Sequence, residues 1–367
     1  MNTIARRRLA NQHLVSPAFR DAAEVVRALG AVQSQDYAGA KWAIAQRTTG
    51  LADSHIEQAF QSGAILRTHV LRPTWHFIVP EDARWMLALT APRISAAMAF
   101  YFRYNELDRA VFRKSHAVLE RATRDGHQLT RAELRAALAR ARVDVSSGER
   151  VVGLLMQAEL DRVIISGPRR GKQFTYALFD ERVPAAPARD RDEALHDLAR
   201  RYFATRGPAT VHDFAWWSGL SVADAKRGVE SAGSVLARET YEGTTYWSGA
   251  AARAARRWTP VVHLLPNYDE CFVGFKDRSA FAGRLQAGRL RSRVNVLMGH
   301  VVLLNGEIVG GWRRTLGATA ELELQLAVGL TAAERNLVQR AARRFGRFLQ
   351  LPVRVRSLAM ASSASEA

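Results

Sequence analysis

The chain has 367 residues, 48% hydrophobic and 24% charged, a balance that suits a globular protein of roughly two to four domains and excludes a disordered basic tail. Lysine plus arginine outnumber aspartate plus glutamate 53 to 35, so the formal charge is +18 and polyanions, nucleic acid first, are the expected partners. No stretch approaches the ~18 consecutive apolar residues of a membrane helix, no apolar signal core follows Met1–Arg8, and the lone Cys271 can make neither an internal disulfide nor a cysteine-rich zinc site.

These features lead us to expect a cytoplasmic protein with no membrane partner and no cysteine-rich structural zinc; that it is nucleoid-associated and monomeric, without metal or cofactor, are further expectations that composition alone does not supply. One feature tempers the charge: lysine stands only at positions 41, 114, 172, 226 and 276, and an arginine bias of this kind also arises from genome base composition.

In chain order, the first unit reads as helices around Asp21–Leu29, Tyr37–Arg47 and Asp53–Ser62, then β-like Ile65–Leu71 and Trp75–Val79. A clearer copy starts with a helix over Leu107–Arg124 and a turn at Gly126-His127-Gln128. Thr130 with Glu133 forms a capping-box signature for its second helix. Ser146 or Ser147 caps a third helix whose Val151, Leu154, Leu155 and Ala158 make an apolar stripe. Two β-like runs, 162–165 and 173–178, flank the basic turn Gly167–Lys172. Three helices and a β-hairpin with basic residues at its tip describe a winged helix.

The next copy has a helix over Asp192–Thr205 ending at Gly207-Pro208, a short helix capped by Thr210, and a third capped by Ser221 and running to Ala232. A hairpin from Ala237 to Trp247 turns at Glu242-Gly243. After about residue 257 strands take over, at 261–265, 294–297, 301–304, 307–312 and 320–326. A helix at 332–348 and a strand at 353–355 follow, and the small polar residues from Ala359 onward are expected to fray.

The familiar catalytic signatures are absent: no phosphate-binding Gly-x-x-x-x-Gly-Lys loop, no His-Glu-x-x-His pair, no Gly-x-Ser-x-Gly turn and no zinc-deaminase pattern. What stands out is Gln33-Ser34-Gln35 between two helices. In an extended link residues two apart share a side, so both carboxamides can converge on one target; equally, they suit helix-end backbone groups or solvent. Asp36 sits where an N-cap for the next helix belongs.

A second cluster, Arg67-Thr68-His69-Val70-Leu71-Arg72-Pro73-Thr74-Trp75-His76, places basic groups on one strand face and an aromatic at a tip. It suits phosphate contact or base stacking, and equally a hairpin with buried Trp75 and hydrogen-bonded histidines. Asp269 and Glu270, beside the basic loop Lys276-Asp277-Arg278-Ser279, read as braces rather than acids. The arginine runs at 284–293 and 340–347 read as solvated faces.

Together these residues are similar to a known family. Gln33-Ser34-Gln35 after Ala31-Val32, Thr68-His69-x-x-Arg72-Pro73-Thr74-Trp75-His76, Gly207-Pro208-Ala209-Thr210 with Asp213–Gly219, and Tyr268-Asp269-Glu270 with Lys276–Ser279 resemble the bacterial tandem winged-helix DNA glycosylases of the AlkZ and YcaQ type. The resemblance covers nearly the whole chain. It implies an α+β protein with three winged-helix modules, at 1–107, 108–187 and 188–256, and a C-terminal β-barrel-like domain at 257–367, arranged as a C-shaped clamp on double-stranded DNA.

It further implies monofunctional hydrolysis of the N-glycosidic bond of N7-alkylated purines and unhooking of interstrand crosslinks. Gln33 and Gln35 match the catalytic Gln-x-Gln of the AlkZ-like branch, although the middle residue, usually apolar there, is Ser34. Expected DNA contacts are Arg67, His69, Arg72, Trp75 and His76 near the lesion, with Arg169, Arg170, Lys172, Lys276 and Arg278 on phosphates. A winged-helix regulator without catalysis, and more distantly a protein-interaction scaffold, are the alternatives.

Overall fold

The computed structural model describes residues 3–250, 258–284 and 299–358. Three segments share one order of elements. In the first, α2 (Ala22–Leu29), β1 (Val32–Gln33), α3 (Tyr37–Ala45), α4 (Asp53–Ser62), β2 (Leu66–His69) and β3 (Trp75–Ile78) build a small sheet with strand order β1-β3-β2. Caps set the helix starts: the Asp21 side chain accepts from the Glu24 amide, and Asp36 accepts from the Gly39 amide at 3.0 Å.

The second segment repeats this with α7 (Arg109–Thr123), β4 (Leu129–Thr130), α8 (Arg131–Arg140), α9 (Gly148–Leu160), β5 (Ile164–Ser166) and β6 (Thr175–Leu178), in sheet order β4-β6-β5. Thr130 and Glu133 close a capping box, and Ser147 caps α9. In the third, α11 (Arg191–Arg206), α12 (Val211–Ser218) and α13 (Val222–Ala232) precede the hairpin of β7 (Leu236–Tyr241) and β8 (Thr244–Gly249). Here a single bridge from Ala209 to Trp247 stands where the other two units have their first short strand.

The C-terminal part departs from expectation. Its strands β9 (Val262–Leu265), β10 (His300–Leu304), β11 (Glu307–Leu316), β12 (Ala320–Leu326) and β13 (Val353–Leu358) form one sheet in the order β13-β12-β11-β10-β9. Among the described residues β9 and β13 remain its two edges, so the sheet is open rather than a closed barrel. The reason lies in β13, which pairs parallel to β12 after the intervening helix Ala332–Leu349 and extends the sheet outward. The strand expected at 294–297 and the tail from Ala359 lie outside the described residues.

Among the described residues five α-helices escaped the sequence reading: α1 (Thr3–Asn11), α5 (Pro80–Ala97), α6 (Ala99–Tyr104), α10 (Phe179–Arg182) and the short helix Glu270–Val273. Helices α1 and α5 join the units, because their buried Leu9, Met86 and Leu89 share one core with Leu198, Phe203 and Phe214 of the third segment. The first segment is likewise continuous with the C-terminal sheet: Val25, Trp42, Phe60 and Phe77 pack in one cluster with Val302, Trp312 and Phe345. The second has a core of its own around Leu119, Leu134, Leu138 and Leu154. No helix among the described residues is long and apolar enough to cross a membrane.

Candidate active site and nucleic-acid interface

The Gln-x-Gln segment is fixed from below by a buried charge pair. Glu270, fully buried, accepts the Gln33 amide at 2.8 Å through Oε1, and Arg206 at 2.6 Å and the Trp217 indole N–H at 2.8 Å through Oε2. The equally buried Arg206 donates further to the Leu29 and Ala31 carbonyls, and its guanidinium lies 4.3 Å from the centre of the Trp217 ring. Beside it Asp269 takes a two-pronged ion pair from Arg47, at 2.9 and 3.0 Å. Both acids are therefore braces.

Above this base the two glutamines differ. Gln33 lies in β1 and is nearly buried, and its carboxamide oxygen accepts from Arg72 Nη2 at 2.7 Å. Gln35 is exposed, and its oxygen receives a long bond, 3.4 Å, from the Trp75 amide. Both side chains thus grip the turn between β2 and β3 rather than meeting each other. Each amide oxygen carries two lone pairs, so one acceptor position on Gln35 stays open toward solvent. Ser34 is buried; its amide donates to the Trp75 carbonyl at 2.8 Å, and its carbonyl accepts from Arg67 Nε at 3.2 Å.

Arg72 connects this turn to the third unit, donating to the Trp217 carbonyl at 2.6 Å. Burial lowers its pKa to about 10, which leaves it charged at neutral pH. The close approach depends on Gly219, whose φ is +69°; a Cβ there would sit 2.0 Å from the Leu71 carbonyl oxygen. Around this point stand Trp216, 46% exposed, and Arg278, which holds the Phe272 carbonyl and lies 5.9 Å from the Trp216 ring centre. Lys276 points outward from a loop whose amides at 276 and 277 dock on Asp213.

Several expected DNA contacts lie inside the protein. His69 is buried against Glu159, which its Nδ1 contacts, and its ring packs at a tilt against Trp75, 4.4 Å between centres. His76 is fully buried with its Nδ1 on the Thr74 carbonyl, and desolvation holds its pKa well below the ordinary value, so it is neutral. Arg67 is sandwiched between the rings of Trp75 and Phe174, at 4.3 and 4.6 Å, and burial brings its pKa to about 10. On the second hairpin, Arg169 turns inward to Glu57, Arg170 pairs with Glu133 at 2.7 Å, and Lys172 is exposed. Sequence reasoning missed Arg206, Glu159 and Trp217 as supports; their partners lie far away along the chain, so local pattern carried no signal.

Comparison with known proteins places this arrangement. The fold is that of a DNA glycosylase from Streptomyces sahachiroi called AlkZ, whose structure superposes with a TM-score of 0.77 over 97% of this chain and 100% of that one, at 23% identity. The profile of the family described as "DNA glycosylase AlkZ-like" matches residues 26–348, and the chain belongs to that family. A relative from the same organism, described as "Interstrand DNA cross-link repair glycosylase", is 26% identical over 320 residues, 83% of this chain and 85% of its own length.

Proposed function

We propose that this protein is a DNA repair glycosylase that hydrolyses the N-glycosidic bond of N7-alkylated purines and unhooks interstrand crosslinks; the name of its Streptomyces relative supports the crosslink-repair part of this reading. The three repeated units are read as winged-helix modules holding duplex DNA in a clamp. Alkylation at N7 makes the purine cationic and already a good leaving group, so the enzyme has no need to protonate it. As the bond breaks, positive charge grows on the deoxyribose, and a water must be held at its open face.

Gln35 positions that water through its open acceptor, with Gln33 as partner on the Arg72 side, and the reading needs no metal or cofactor. The observation that carries it is the contrast within the motif: Gln33 is locked by Arg72 and Glu270, whereas Gln35 is exposed and held only by a long bond from the Trp75 amide. Incubation with duplex DNA containing N7-methylguanine, then heating in alkali, should cut the strand at the methylated base. Intact strands with folded protein favour the second reading, a DNA-binding regulator. The engagement of the Gln33 oxygen by Arg72 speaks for that reading, since a purely structural glutamine is held in the same way.

A further inference from the structure

The described residues include few large apolar side chains left in solvent, and two of them sit together. Phe100 is 73% and Tyr104 79% exposed, and their rings stack at 6.3 Å with an interplanar angle of 21°. Hydrogen bonding continues across the junction of α5 and α6, from the Met98 amide to the Ile94 carbonyl and from the Phe102 amide to the Met98 carbonyl, both at 2.9 Å. Residues 93, 97, 100 and 104 therefore follow helical spacing along one side. All four are exposed, as is Arg103.

The base of this stripe touches the candidate site. Arg93 Nε donates to the Gly219 carbonyl at 2.8 Å, and Gly219 is the residue against which the Leu71–Arg72 turn closes. At 1.5 Å per residue Phe100 stands about 10 Å further along the helix. Among the described residues this pair of flat rings, flanked by arginines, is left largely in solvent rather than spent on the core. Its chemistry matches a nucleobase: an aromatic face stacks on any base, and guanidinium groups draw the attached phosphates.

We propose that Phe100 and Tyr104 form a stacking platform for an unpaired base of the bound DNA, with Arg93 and Arg103 on the neighbouring backbone. This rests on the DNA-binding reading above, and the paired duplex in the experiment tests that reading separately. The probes are a duplex with a short bulge containing 2-aminopurine and the fully paired duplex of the same sequence, compared by anisotropy and 2-aminopurine fluorescence.

The wild-type protein should bind both DNAs, the bulged one more tightly, and quench its fluorescence. Phe100→Leu with Tyr104→Leu, which keeps apolar bulk but removes the rings, should weaken bulge binding about 5-fold or more and abolish quenching. Paired-duplex affinity should stay within about 2-fold. Equal loss on both DNAs, retained quenching, or a shift from dimer to monomer in sedimentation would overturn the platform. Failure of the wild-type protein to bind either DNA would overturn the DNA-binding reading beneath it.

Discussion

Replacing Glu270 with leucine removes the acceptor that joins the Gln-x-Gln strand to the third unit. In the wild-type protein Glu270 takes three hydrogen bonds of 2.6 to 2.8 Å, and both it and Arg206 are shut off from water. The variant leaves the Arg206 charge buried without its counter-ion and the Gln33 amide and Trp217 indole without an acceptor. Breaking a buried pair from one side costs about 3–5 kcal/mol, a large share of the ~5–15 kcal/mol that holds a folded protein together.

The companion Arg206→Met in the same chain removes the stranded charge, so Glu270→Leu/Arg206→Met should regain most of that loss. Urea unfolding followed by circular dichroism and tryptophan fluorescence measures both. A single variant within about 1 kcal/mol of wild type, or a double variant as unstable as the sum of the singles, would refute the view that this pair underpins the motif.

Other positions give narrower tests. Gly219→Ala should lower the melting temperature, because left-handed backbone strain alone costs about 1–3 kcal/mol and its Cβ would strike the Leu71 carbonyl; an unchanged melting temperature contradicts this. Arg72→Lys keeps a charge but loses the planar fork that reaches both Gln33 and Trp217. DNA affinity should persist while single-turnover base release falls about 10-fold, and an unchanged rate would remove Arg72 from the positioning role.

Acid stability should report on His263, which is buried, has neither ring nitrogen hydrogen-bonded among the described residues, and has its pKa lowered by burial to about 3. Its folded pKa lies below the unfolded one, so its contribution is intact above about pH 6.5 and falls by about 1.4 kcal/mol per pH unit as the solution is acidified toward pH 3. His263→Phe should show a shallower acid slope in urea unfolding; parallel slopes would contradict the assignment.

The parts of the fold legible in the sequence are those whose signals are local. Asp36, Thr130, Ser147 and Thr210 each cap the helix that follows, since a capping side chain bonds its own next turn. Strand alternation located β9 to β12 but not their closure, because period-two pattern assigns faces and says nothing of which edge meets which. Helix α5 was hidden by Pro92 within it and by an apolar surface on several sides, as befits an element buried between units.

The candidate site divides the same way. Gln33, Gln35 and Arg72 stood out because polar groups interrupted an apolar pattern. Arg206 and Arg47 did not, since in a chain so rich in arginine each reads as solvated surface. Only the fold brings them to acids 64 and 222 residues away. For His69 and His76 the sequence offered both exposed contact and a hydrogen-bonded hairpin; what decides for burial is that β2 and β3 are covered by neighbouring units as well as their own helices.

The central claim is that an uncharged residue, Gln35, positions the hydrolytic water while the positive field serves binding. The most direct measurement is single-turnover release of N7-methylguanine from duplex DNA by wild type and Gln35→Ala, with DNA affinity measured in parallel. The account predicts a loss of about 100-fold or more in rate at nearly unchanged affinity. A variant that releases the base at the wild-type rate, or loses binding in proportion to rate, would contradict it.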